Sequence, residues 1–277
     1  MIKRRDILLV KRSKMDISYN QIFNAIFDKK VISDLRVKFE DAKTIVFGVK
    51  RSAYRTYLPK FVSPTIAYLS GAISGDGCFH YHLSQKRNYP YVRLSITSGD
   101  KEYLKLLNQF FIKSFAVGGM IHRDERKKSC YSLYVNHRVL WLYFKNYLGL
   151  DKKRLSVPKQ MANRELFRFF LAGFFDTDGY YSRKAFGTMM SAKNASFLQQ
   201  IREYSKKFYS YNFSPVGINH LLTKGKIFKR AYTRLSTADS KRFYQEVPLQ
   251  NQKYGLARDR TANLRCFLSA GHHGMQM

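Results

Sequence analysis

Along residues 91–97 apolar and polar positions alternate. Val92, Leu94 and Ile96 fall on one face, and Tyr91, Arg93, Ser95 and Thr97 fall on the other. A period of two marks a strand with one buried and one open face. The stretch before it, Phe79-His80-Tyr81-His82-Leu83-Ser84, alternates in the same way, and the two predict a hairpin. Then the period changes. Leu104, Leu107, Phe110 and Phe111 recur at helical spacing behind Asp100, whose side chain suits an N-cap. Two more extended stretches, MIHRD and CYSLYVN, lead into a helix around residues 137–148.

This order occurs twice. Residues 68–77 read YLSGAISGDG and residues 170–179 read FLAGFFDTDG, and each segment opens a copy as a helix. In the second copy YYSRK and AFGTMMSA replace the first hairpin, and NASFLQQIREYSKKFYS replaces the helix. PVGINHLLT and RAYTRLST then lead to a helix around residues 240–247, and Tyr131-Ser132-Leu133 aligns with Tyr232-Thr233-Arg234. The reading is therefore α+β: a first repeat at 61–150, a linker at 151–162 flanked or marked by Gly149 and Pro158, and a second repeat at 163–258. Residues 1–60 form a basic N-terminal extension, with a helix expected near 19–27 and room for a small helix-turn-helix at 17–31. Residues 259–277 read as a flexible tail.

The two repeated helices carry small residues where ordinary helices carry large ones. Gly71 and Gly75 stand in the first, and Ala172 and Gly173 in the second. Glycine inside a helix is unfavourable by roughly 0.5–1 kcal/mol relative to alanine, so close backbone packing of the two helices is the expected compensation. Such packing would set Asp76 beside Asp178, because each acid closes its segment. Two carboxylates held together suit a hard cation such as Mg²⁺, which keeps several waters and takes one or two carboxylates. That pair is the core of a metal-assisted phosphodiester hydrolase.

Composition narrows the partner. The 277 residues hold 50 Lys+Arg against 19 Asp+Glu, a formal charge of +31, while 45% are hydrophobic and 16% aromatic. That apolar content builds a core, so the charge belongs to folded elements instead of a disordered basic tail. Basic residues are interleaved along the chain, as in a protein that follows a phosphate backbone. Composition alone favours a passive nucleic-acid binder; the paired acids reverse that preference. No apolar run approaches the roughly 20 residues that span a bilayer, and no membrane partner is expected. Three cysteines, Cys78, Cys130 and Cys266, form no C-x-x-C pair, which argues against a disulfide scaffold and for a reducing compartment.

With both motifs in view, LSGAISGDG (69–77) and LAGFFDTDG (171–179), the sequence resembles the two-motif LAGLIDADG homing endonucleases. The first motif departs at its sixth position, where Ser74 replaces an acid that the second keeps as Asp176. The resemblance covers roughly residues 62–255 and implies tandem αββαββα repeats. Their two antiparallel sheets would form a pseudo-two-fold saddle over double-stranded DNA, around two packed motif helices. It implies a monomer that cuts both strands of a long asymmetric site to leave 3′ overhangs. Mg²⁺ would be needed, Mn²⁺ would substitute, and Ca²⁺ would bind without supporting cleavage. Asp76 and Asp178 would be the metal ligands, with Gly75 and Thr177 contributing beside them, and Asp176 would be structural or a minor contributor. A basic residue just past each repeat's last helix would join the site, and Lys153 and Lys253 fit that location.

On the first sheet His80, His82, Ser84, Tyr91, Arg93 and Thr97 would then face DNA, with Arg93 suited to guanine or phosphate. In the second copy Ser182, Lys184, Met189 and Ser191 hold comparable positions, and Lys229 and Arg234 are further candidates. His80-x-His82 alone fits a metal site, but no third ligand stands at a suitable spacing, which favours DNA contact. The expected function is a site-specific endonuclease encoded in an intron instead of an intein, acting in a prokaryotic cytoplasm, an organelle matrix or stroma. The alternatives are a maturase that binds intron RNA and a non-cleaving DNA-binding regulator on the same fold.

Overall fold

The computed structural model describes residues 35–40, 44–49, 55–59, 61–83, 90–125, 129–182, 187–223 and 226–250. In chain order the elements begin with β1 (Leu35–Glu40), β2 (Thr44–Val49) and β3 (Arg55–Pro59), an antiparallel sheet of order β1-β2-β3. The first repeat follows as α1 (Pro64–Asp76), β4 (Gly77–Leu83), β5 (Pro90–Ser98), α2 (Lys101–Phe115), β6 (Met120–Arg123), β7 (Tyr131–Val135) and α3 (Arg138–Leu142), which continues as a π-helical turn, Tyr143–Tyr147. A short 3₁₀ turn, Lys159–Met161, lies in the linker. The second repeat is α4 (Arg164–Asp178), β8 (Gly179–Ser182), β9 (Gly187–Ala192), α5 (Ala195–Tyr209), β10 (Gly217–Thr223), β11 (Lys226–Leu235) and α6 (Thr237–Glu246).

The duplication holds in three dimensions. One sheet runs β4-β5-β7-β6 and the other β8-β9-β11-β10, both antiparallel. Local chemistry repeats with them. Asp100 caps α2 by accepting from the Glu102 and Tyr103 amides at 2.9 and 3.1 Å, and Asn194 caps α5 by accepting from Ser196 and Phe197 at 3.0 and 3.3 Å. Both helices end on a non-glycine residue in the left-handed region, Ala116 (φ 54°) and Ser210 (φ 57°).

α2 and α5 are amphipathic and bury one stripe, Leu104, Leu107 and Phe111 in the first and Phe197, Leu198 and Ile201 in the second. α1 is buried nearly all round and α4 from Phe169 to Asp176, so they form the central layer. Aromatic rings fill the space on both sides, with Tyr68 edge-on to Phe110 and Phe174 edge-on to Phe197.

The register corrects the alignment of the second strand pairs. Gly77 pairs with Ile96, which pairs with Leu133; Gly179 pairs with Met190, which pairs with Thr233. Leu133 therefore matches Thr233, and the alignment to Arg234 is one residue out. A slip of one moves a side chain to the other face, and indeed Leu133 is fully buried while Arg234 is exposed.

The sheet β1-β2-β3 was not read from the sequence, which marked the extension only as basic with a helix. It joins the first repeat through β3, where Leu58 is buried in the core and Thr56 Oγ1 lies 2.6 Å from His137 Nε2. Burial and the neighbouring Arg138 hold the His137 pKa down at about 4. The helix expected near 19–27, the helix-turn-helix at 17–31 and the tail at 259–277 lie outside the described residues. Among the described residues no helix is long and apolar enough to cross a membrane.

Candidate active site

The glycines in the motif helices mark backbone contact. A Cβ at Gly71 would fall on the Phe170 carbonyl oxygen and 2.7 Å from the Phe174 nitrogen. The reciprocal holds at Gly173, where it would fall on the Tyr68 carbonyl oxygen and 2.9 Å from the Ala72 nitrogen. Ala172 is completely buried beside this contact. At the helix ends a Cβ on Gly75 would meet the Thr177 hydroxyl and stand 3.3 Å from Asp178 Oδ2. The two motif termini thus lie against each other, as the small-residue pattern predicts. Asp76 is exposed, and the Asp178 side chain is 17% exposed.

Two basic groups serve these termini, and neither was named from the sequence. Lys152 Nζ donates to the Ser74 carbonyl at 2.6 Å and to the Gly75 carbonyl, so a cation sits on the negative end of α1. Desolvation pushes its pKa below the ordinary lysine value, and Asp178 and Asp76 pull it back. Arg230, on β11, places Nη2 3.0 Å from Asp178 Oδ1. Lys153, the residue expected at this place, has an exposed side chain, and its backbone amide donates to Asp151 Oδ1. Lys253 lies outside the described residues.

Asp176 has a separate task. It is fully buried, and its Oδ2 accepts from Tyr68 Oη at 2.5 Å and from the Gln250 amide at 2.6 Å. Burial, and next the Asp176 carboxylate, push the Tyr68 hydroxyl well above its usual pKa, so it remains a donor. The bond joins α4 to α1 and ties both to the chain that follows α6. Ser74, in the matching place, donates instead to the Ser70 carbonyl of its own helix at 2.8 Å. Thr177 likewise spends its hydroxyl on the Gly173 and Phe174 carbonyls.

The open sheet faces hold most of the expected contacts. His80 stands opposite Arg93 and His82 opposite Tyr91 across β4 and β5. His80 Nε2 is 2.8 Å from Ser95 Oγ, and Thr97 Oγ1 is 3.2 Å from Ser132 Oγ. Arg93 is cradled: its guanidinium lies 4.3 Å from the Tyr134 ring centroid, and Nε donates to Tyr91 Oη at 2.8 Å and to Asn136 Oδ1 at 3.2 Å. Tyr134 and Asn136 complete a cradle that local alternation could not reveal, because they come from another strand pair.

In the second sheet Met189 and Ser191 are part-exposed between buried Thr188, Met190 and Ala192. Arg234 shares the open face with Tyr232 and Arg230. Lys229 is exposed too, and alternates with Arg230 and Arg234 along the strand. Counting by twos from Arg234 would have named Arg230. Ser182 lies on β8, but its side chain is outside the described residues, as are Ser84 and Lys184.

Two repeats built around a glycine-locked pair of motif helices, each feeding a four-stranded antiparallel sheet, make up an α+β architecture. Similar solved structures include the homing endonuclease I-DmoI in complex with DNA and Mn, 22% identical, covering 66% of this chain and 96% of that one at a TM-score of 0.47. Another is the LAGLIDADG meganuclease I-AabMI bound to uncleaved DNA, 13% identical over 76% and 91% of the two chains, with a TM-score of 0.42. A third is full-length DUF199/WhiA from Thermatoga maritima, 14% identical over 77% and 61%, with a TM-score of 0.43. No protein-family model matches the chain.

Proposed function

We propose that the protein is a site-specific endonuclease that works as a monomer, lays a long asymmetric DNA duplex across its two open sheet faces and hydrolyses both strands to leave 3′ overhangs. The observation that carries this reading is the juxtaposition of the two motif termini, where Asp76 and Asp178 close helices locked in backbone contact. An intron-encoded origin fits such an activity.

The donor set suits a hard divalent cation. Its members are carboxylate and carbonyl oxygens, and two cationic side chains already seek them out. Mg²⁺ or Mn²⁺ would be held by Asp76 and Asp178, with the Gly75 and Thr177 carbonyls alongside, and would supply an acidified water and charge stabilisation at the leaving 3′ oxygen. Among the described residues no cluster of three His, Cys, Asp or Glu is present, so phosphate oxygens of the substrate would complete the coordination.

Around that centre the chain's own groups position the duplex. Lys152 stands ready to donate to a non-bridging phosphate oxygen, and Arg93, preset by Tyr91, Tyr134 and Asn136, to read a base edge in the major groove.

Selection from a randomised duplex library tests the reading. Purified protein with Mg²⁺ should cut a defined subset in both strands, and Ca²⁺ should retain the same subset uncut. Tight binding of structured intron RNA, with no duplex cut from any library, would replace this reading with the maturase one.

A further inference from the structure

The two motif termini are not equivalent, and the difference lies in Arg230. Matching Leu133 to Thr233 puts Cys130 where the second repeat has Arg230. The first repeat thus carries no arginine at that position, and its terminus is served instead by Lys152, from the linker, on backbone carbonyls. Arg230 reaches in from β11 and binds a side-chain oxygen of the acid itself.

The geometry limits what else can bind there. Asp178 Oδ1 takes the guanidinium at 3.0 Å, while Oδ2 is turned toward Gly75 of the partner helix. A cation using Oδ1 would share that oxygen with Arg230, and one using only Oδ2 would still sit within a few ångströms of the guanidinium's positive charge. The arginine is not trapped, since its side chain is 45% exposed on the open face that also holds Tyr232 and Arg234. A phosphate arriving on that face offers it another anion, and arginine binds phosphate and carboxylate with the same fork of donors.

Resting on the endonuclease reading, we propose that Arg230 is a counter-ion that holds Asp178 in the DNA-free protein and passes to a backbone phosphate when duplex arrives, so that cation binding at the second motif depends on DNA. Arg230 is thus a positioning residue for Asp178. The device keeps the second acid from loading metal away from its target.

Mn²⁺ binding to the full chain, followed by electron paramagnetic resonance with and without an uncleaved duplex, tests this. Duplex should tighten Mn²⁺ binding in the wild type. Arg230→Gln should tighten it without duplex by about tenfold, the scale set by removing one charge from about 5 Å of a divalent ion in a water-like dielectric. The gain produced by duplex should shrink to match. Arg230→Lys, which keeps the charge, should stay near wild type, and Arg230→Met should repeat the glutamine result.

Equal Mn²⁺ affinity for wild type and Arg230→Gln without duplex overturns the proposal. Asp178→Asn separates that failure from the larger one. If duplex-bound wild type takes up Mn²⁺ and Asp178→Asn does not, the endonuclease reading stands even when the arginine result fails. If neither takes up Mn²⁺, both fall.

Discussion

Asp176 and Asp178 lie two residues apart and have opposite lives. Asp178 ends its helix beside Gly75 with an arginine at 3.0 Å, while Asp176 is sealed in the core under Tyr68 and the Gln250 amide. A buried carboxylate that loses a hydrogen-bond donor is left under-satisfied, so Tyr68→Phe and Asp176→Asn should each destabilise by about 1–3 kcal/mol in urea unfolding. Because the two groups share one bond, the double variant should lose clearly less than the sum of the single losses. Additive losses would separate them. The motif aspartates, the histidine pair and Arg93 were legible as residue types at meaningful spacings. Lys152 was not, because nothing in the string Lys152-Lys153-Arg154 distinguishes the inward side chain from its neighbours.

At the scale of elements, the motif helices show why glycine interrupts them. Gly71 and Gly173 each stand over the other helix's backbone, and neither helix can give way without separating the repeats. Gly173→Ala should therefore be strongly destabilising, by about 2–3 kcal/mol or more as for overpacked cores, and a lowered thermal midpoint with native-like far-ultraviolet circular dichroism would register it. An unchanged midpoint would mean that the helices slide apart cheaply. Period-two and helical alternation made most strands and helices of the repeats readable. It failed at β11, where aligning residue types without a register anchor shifted the match of Leu133 by one, to Arg234 instead of Thr233. The π-helical turn at Tyr143–Tyr147 has no signature in the pattern, and the strands between residues 35 and 59 were overlooked beside the extension's basic charge.

For the whole molecule, the charge of +31 and the scarcity of acids take on a geometric sense. Two sheets with polar open faces flank a central layer whose lower ends bring together two of the 19 acidic residues. A polyanion spread over both sheets supplies the counter-charge, and its binding should weaken steeply with salt. The acids have no such diffuse purpose: removing their charge should even help a polyanion bind. That opposition gives the most direct test of the account. On a duplex obtained by selection, Asp76→Asn and Asp178→Asn should each lose double-strand cleavage in Mg²⁺ by at least about a thousandfold, the scale of losing an essential catalytic group, while affinity in Ca²⁺ stays equal or rises. Cleavage that persists in both variants, or binding lost together with cleavage, would contradict the claim that Asp76 and Asp178 are the chemical centre of this protein.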